Sequence, residues 1–143
     1  MLNELRVGEF LAALGERTPT PASGAATALT AALAAGLVEL AGRFAEDEDA
    51  VVRAKAAMMR LVELADEDAA AYTAFMADRT DSTRARIIEV PHEIAAHADE
   101  VADLGERVRG QLRSSVGADA EAAVELARAA ARVARRLAEL NQA

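Results

Sequence analysis

The sequence predicts an all-α fold, an antiparallel bundle of about five helices in a single domain over residues 1–143. Three observations carry this. No stretch alternates apolar and polar residues over the length of a strand. Hydrophobic residues make up 52% of the chain while aromatics make up only 3%, so the apolar content is mostly alanine, the strongest helix former. Cap and breaker residues then divide the chain into five helical segments joined by short connections.

The first helix is expected from Asn3, a cap residue, to Leu14, with Gly15 just past its end. Leu2, Leu5, Phe10, Leu11 and Leu14 supply its apolar stripe. In the loop from Glu16 to Ala22, Pro19 and Pro21 force an extended path. The second helix starts near Ser23 and runs to about Ala45. Small residues surround its circumference, so it is expected to be contacted on every side, and Gly36→Leu to be costly by overpacking. The acidic run Glu46–Asp49 reads as carboxylates at the positive end of the next helix. That third helix should span roughly Asp49 to Asp78, with Val52, Met59, Leu61, Val62, Ala65 and Phe75 as its larger contacts. Thr80-Asp81-Ser82 is a capping turn. The fourth helix meets Pro91, which must kink or break it, and continues through Ile94, Val101, Leu104 and Val108 to about Leu112. Ser114 to Gly117 is the last loop, and the fifth helix runs from about Ala118 to Leu140.

Composition narrows the function classes. There are no cysteines, which excludes disulfides, thiolate metal sites and cysteine nucleophiles. A net charge of −8 argues against nucleic acid. Residues 18–38 carry no charge, but they are Ala-, Thr- and Gly-rich, so a buried helix is expected there and not a membrane span. The N-terminus lacks the pattern of a signal peptide, and a cytoplasmic location is expected. Alanine buries little area per residue, at about 25 cal/mol per Å², so a second subunit is expected to complete the burial as a homodimer.

Three constellations could carry chemistry. Thr18 to Ala25 is a Pro-rich turn opening a buried helix, whose free N–H groups suit an anion or a polar ring edge. There Pro21 shapes the turn, Ser23 is a cap residue and Gly24 admits a flat ligand to the backbone. Asp68 and Tyr72, the only tyrosine, stand four residues apart and share a helix face, so an acid and a hydroxyl aim the same way. Asp119 follows Gly117 at the start of the fifth helix, where an acid also serves as a cap. His92 and His97 are five apart and point in different directions, so no metal site is expected. Arg128, Arg132 and Arg136 form a stripe that reads as a solvated face.

Taken in order, Phe10-Leu11, Pro19-Thr20-Pro21, Asp68 with Ala71-Tyr72, Val90-Pro91, Asp119 and Asn141 resemble the cyclodeaminase/cyclohydrolase family. That family includes formiminotetrahydrofolate cyclodeaminase and methenyltetrahydrofolate cyclohydrolase-like proteins. The resemblance implies chemistry on a formimino- or methenyl-tetrahydrofolate, with no cofactor beyond that substrate. It assigns proton transfer to Asp68 and Asp119, the pterin end to Tyr72, and the folate wall to the segment from Pro21 through Ser23 to Gly24. The chain departs from the pattern in three respects: it is shorter than is usual in the family around Thr80 and before Gly117, and two motifs differ. A Gly-Gly-Gly-Ser run has become Ala22-Ser23-Gly24-Ala25, and the Ser of a Ser-Asp pair is Ala118. These departures define the alternative, a non-catalytic helical homodimer that keeps the fold and has lost the folate site.

Overall fold

A computed structural model describes residues 1–113 and 115–143. Among these residues the chain forms a 3₁₀ turn, Leu2–Glu4, and five helices: α1 (Val7–Gly15), α2 (Ser23–Phe44), α3 (Glu48–Ala77), α4 (Asp81–Arg109) and α5 (Ser115–Gln142). No strand occurs among them. Helices α2 to α5 form an antiparallel four-helix ring, each packed on its neighbours, with α2 and α4 also touching across the diagonal.

Alanine sets the geometry of this core. Most buried positions on α2 and α5 are alanines, which let the backbones approach closely. Gly105 of α4 takes this furthest. A Cβ there would lie 2.8 Å from Val124 of α5 and 3.5 Å from Val38 of α2, so its hydrogen is what lets three helices meet. Leu61, Leu64, Ile94, Val90 and Val101 fill the remaining interior.

Local chemistry explains the boundaries. Glu46 has a φ of 54°, the left-handed conformation that ends α2, and the Asp47 N–H donates to the Gly42 carbonyl at 3.0 Å. Asp47 then caps α3 by accepting from the Ala50 N–H at 3.1 Å, while Arg107 and Gln111 from the end of α4 also bond its carboxylate. Those bonds, led by that from Gln111, hold its carboxyl below the ordinary carboxylate range. Thr80 and Thr83 bond each other's backbone N–H groups reciprocally and start α4. Between α3 and α4, Arg60 bonds Glu93 at 2.8 Å and Glu67 at 2.6 Å, and Arg86 also pairs with Glu67.

Several expectations need correction. The first helix starts four residues later than Asn3 and buries none of its residues, since Leu2–Glu4 forms a separate turn tied down by Asp66, which accepts from the Leu2 N–H at 2.8 Å. Ser23 is not the cap of α2. Ala22 stands at that position without a side-chain bond, and Ser23 begins the helix. The last loop is shorter than expected because Ser115, Val116 and Gly117 are already helical; Ser114 lies outside the described residues. Of the two outcomes expected at Pro91, a kink or a break, the break does not occur, since α4 runs through it. Finally, α2 is not contacted all round: Leu33 is 70% exposed, and Gly36 is half-buried. Among the described residues α2 is the one helix long and apolar enough to cross a membrane, but 56% of its most apolar stretch is buried in the bundle.

Candidate functional site

A cleft of about 250 Å³ opens at the end of the bundle where α2 begins. Pro19 and Thr20 form one wall with Ala22, Ser23 and Gly24. Asp68 and Tyr72 form the second, one helical turn apart on α3 as their spacing requires. Ile87 and Pro91 of α4 close it together with Leu137 and Asn141 near the end of α5.

Asp68 is the chemically distinctive group. Its carboxyl lies directly over Gly24, in the space a side chain at position 24 would occupy, since an added Cβ would fall well inside 3.0 Å of all three carboxyl atoms. It makes no hydrogen bond to the described residues. Burial without a partner disfavours the charged form and pushes its pKa up. The carboxyl therefore stands ready to hold or release a proton at the mouth of α2, whose first N–H groups have no intrahelical acceptor. Tyr72 is partly exposed and lines the same cleft.

Pro91 shapes the opposite wall. A proline in a helix has no N–H for the carbonyl four residues earlier, here Ile87. The Asn141 side-chain amide donates to that same Ile87 carbonyl at 2.8 Å. The end of α5 thus repairs the bond that Pro91 removes from α4, which keeps α4 continuous. This fixes the Asn141 amide with its Oδ1 left over as an acceptor.

Of the residues expected from sequence, Ser23, Gly24, Asp68 and Tyr72 line this one cleft. Pro21 is half-buried beside it, between Thr20 and Ala22. Asp119 is elsewhere. It sits in the second turn of α5, 18 residues before Leu137, which is about 27 Å along the helix axis. Asp68 and Asp119 are therefore not brought together within one chain. Sequence reasoning assigned no role to Thr20, Ile87 or Leu137, and met Asn141 only within the resemblance. The signal for Asn141 was present, because a mid-helix proline leaves a carbonyl that some outside donor must satisfy. His97 and Glu93 are 3.8 Å apart, and among the described residues no three acidic or histidine side chains gather as for a metal ion. Arg128, Arg135 and Arg136 of α5 pair with Glu106, Asp99 and Glu139, as a solvated face does.

Residues 6–143 match the family model described as formiminotransferase-cyclodeaminase. Among solved structures the chain is similar to formiminotetrahydrofolate cyclodeaminase from Thermotoga maritima, with a TM-score of 0.93 and 22% identity. That likeness covers 99% of this chain and 80% of the other, and it shows a shared all-α fold. No curated protein matches the sequence.

Proposed function

Because the chain belongs to the formiminotransferase-cyclodeaminase family, we propose that its cleft takes the one-carbon end of a formimino- or methenyl-tetrahydrofolate and moves a proton there. The observation that carries this is the Asp68 carboxyl, held unpartnered over Gly24 in a cleft beside Tyr72.

In cyclodeamination the folate N10 attacks the formimino carbon, loses its proton, and the amino group leaves as ammonia once protonated. In cyclohydrolysis water attacks the methenyl carbon, a ring C–N bond opens and the freed nitrogen takes up a proton. Either path needs one group to accept a proton and return it. Asp68 has that capacity: its raised pKa brings the neutral and charged forms closer to parity, and the charged form faces the cationic carbon. The first N–H groups of α2 and the Asn141 Oδ1 offer a donor edge and an acceptor to a flat polar ring, and the Tyr72 hydroxyl positions the pterin end. No cofactor beyond the folate is needed.

The retained glycine supports this reading over the alternative of a scaffold without a site. Of the four residues from Ala22 to Ala25, the one glycine is at the position where a Cβ would displace Asp68. Calorimetric titration with tetrahydrofolate and 5-formyltetrahydrofolate, with and without a polyglutamate tail, tests it. One site per chain at micromolar affinity is expected. No heat at any accessible concentration would leave the non-catalytic homodimer as the reading to keep.

A further inference from the structure

The hairpin of α3 and α4 runs on past the cleft. Asp68 lies against Gly24 at the start of α2, and α3 continues for nine more residues, about 13 Å, to its end at Ala77. Past Ala71 none of its residues is buried. On this projecting stretch the half-buried ring of Phe75 receives two exposed guanidinium groups. Arg79, just past the end of α3, lies 5.2 Å from the ring centroid, and Arg84 from the first turn of α4 lies 5.5 Å from it. An arginine held on an aromatic face keeps its N–H edge free for hydrogen bonds.

Elsewhere on the bundle arginines find carboxylates on other segments, as Arg60, Arg86 and Arg107 do. These two differ. Among the described residues Arg79 donates to the Met76 sulfur at 3.8 Å and Arg84 to the Asn141 backbone carbonyl at 3.5 Å. Asp78 and Asp81 are their neighbours along the chain, yet among the described residues no carboxylate comes within ion-pair distance of either guanidinium. Two cations on one ring without an anion repel each other, and this in a chain whose net charge is −8. Their position is equally informative. Asn141 lines the cleft, so the contact to its carbonyl puts Arg84 at the cleft's lip, and Tyr72 of the cleft is one turn before Phe75.

We propose that Arg79, Arg84 and Phe75 form an anion-binding ledge at the mouth of the cleft, which takes the carboxylates at the glutamate end of the ligand. The proposal rests on the folate reading of the cleft and adds the site for the other end of the molecule. Size supports it. The cleft, at about 250 Å³, is smaller than the ~300–1,000 Å³ of a pocket that encloses a whole ligand of this class, so part of the ligand lies outside it. From Asp68 to Phe75 is seven residues, about 10 Å along α3, and the aminobenzoyl ring that joins N10 to the glutamate spans a comparable distance. With N10 at Asp68, the glutamate reaches the two guanidinium groups. Both lie within 5.5 Å of one ring centroid, so the two carboxylates of a single glutamate occupy both, each through forked N–H···O bonds. The bound dianion also removes the repulsion between the cations.

Calorimetric titration with 5-formyltetrahydrofolate and with its bis-amide, in which both glutamate carboxylates are neutral carboxamides, tests the ledge. The parent should bind the acid at least ~10-fold more tightly than the bis-amide, and added salt should shrink that preference. Arg79→Gln combined with Arg84→Gln should bring the acid down to the level of the bis-amide while leaving bis-amide binding unchanged. Arg79→Gln alone, at an exposed position away from Asn141, should lose part of the preference with the melting temperature unmoved, which separates the effect from misfolding. Equal binding of acid and bis-amide by the parent would overturn the ledge and leave the folate reading standing. A double variant that loses both ligands to the same degree would also overturn it, because Arg84 would then act by holding Asn141. No binding of either ligand would overturn the ledge and the folate reading together.

Discussion

Replacing Gly24 with alanine tests the cleft at its tightest point. The new Cβ would stand inside 3.0 Å of the Asp68 carboxyl, so that group must retreat by about 1 Å or more to reach ordinary contact. Asp68 is the flexible partner and has the open cleft beside it, so the side chain yields and the helices stay in place. Overpacking typically costs 1–3 kcal/mol, and the freedom to move puts this case near the lower bound. Alanine's helix preference over glycine opposes that by up to about 1 kcal/mol. The net loss of stability should therefore stay within about 1 kcal/mol, a shift of no more than roughly 2–4 °C in Tm. Binding should suffer more, because the displaced carboxyl no longer faces the reacting carbon; affinity for the reduced folate should fall at least ~10-fold, or about 1.4 kcal/mol. A double-mutant cycle isolates the cause. In an Asp68→Ala background the clash is gone, so Gly24→Ala should become neutral or stabilising, with a coupling energy of about 1 kcal/mol. Thermal and denaturant melts of the four proteins measure that coupling, and calorimetry measures binding for the parent and the Gly24→Ala variant. Stability changes that add within ~0.3–0.5 kcal/mol, or a Gly24→Ala protein that binds like the parent, would refute the placement of Asp68 against Gly24.

Three further outcomes are expected. Asp68→Asn should abolish folate turnover yet leave Tm at neutral pH equal or higher, since it removes a buried charge with no partner. With the folded pKa above the unfolded one, the folded state holds more protons between the two values, so stability falls as pH rises through that window and then levels off. Melts across pH 3–8 should show this slope lost in the variant, and a variant melting well below its parent at pH 7 would make Asp68 structural. Asn141→Ala should cost about 1–2 kcal/mol by orphaning the Ile87 carbonyl, and much less in a Pro91→Ala background, where the restored N–H can serve it. An equal cost in both backgrounds would mean Asn141 acts otherwise. Thr80→Ala should cost about 1 kcal/mol through the lost cap of α4, which a urea melt reads directly.

What was legible in the sequence was whatever depends on neighbours along the chain. Helix class and number follow from alanine content and cap residues, and the Asp68–Tyr72 pairing follows from a four-residue step on a helix. That α4 starts at Thr80-Asp81 rests on bonds across three residues. The errors arose where distant segments decide. Asn3 looked like a helix cap, yet Asp66, 64 residues away in bonding to Leu2, holds a separate turn there. Pro91 was expected to kink or break α4; the helix runs on through it, and Asn141 supplies the missing bond across 54 residues. Asp68 and Asp119 were expected in one site, but α3 and α5 run in the same direction, so Asp68, late in α3, and Asp119, early in α5, lie at opposite ends of one protomer.

Small residues mislead in a way that explains both the lost glycines and the misplaced Gly36. From sequence alone, small residues around α2 signal contact on every side, because a small side chain is usually one that a neighbour leaves no room for. The structure separates two causes. At Gly24 and Gly105 an added methyl group meets Asp68 or Val124 at once, so the packing of the protomer itself demands glycine. At Gly36 it meets only a methionine sulfur at 3.8 Å, an ordinary contact, so Gly36→Ala should cost the protomer little. A glycine in the middle of a helix costs about 1 kcal/mol relative to alanine, which calls for a compensating contact. Around Gly36 the surface of α2 carries the exposed Leu33, Leu40 and Phe44. In the same segment Ala22 and Ser23 are exposed and Ala25 is buried in the core, while Gly24 lies directly against the acid. The position that lies against the acid in the cleft is the one that is glycine.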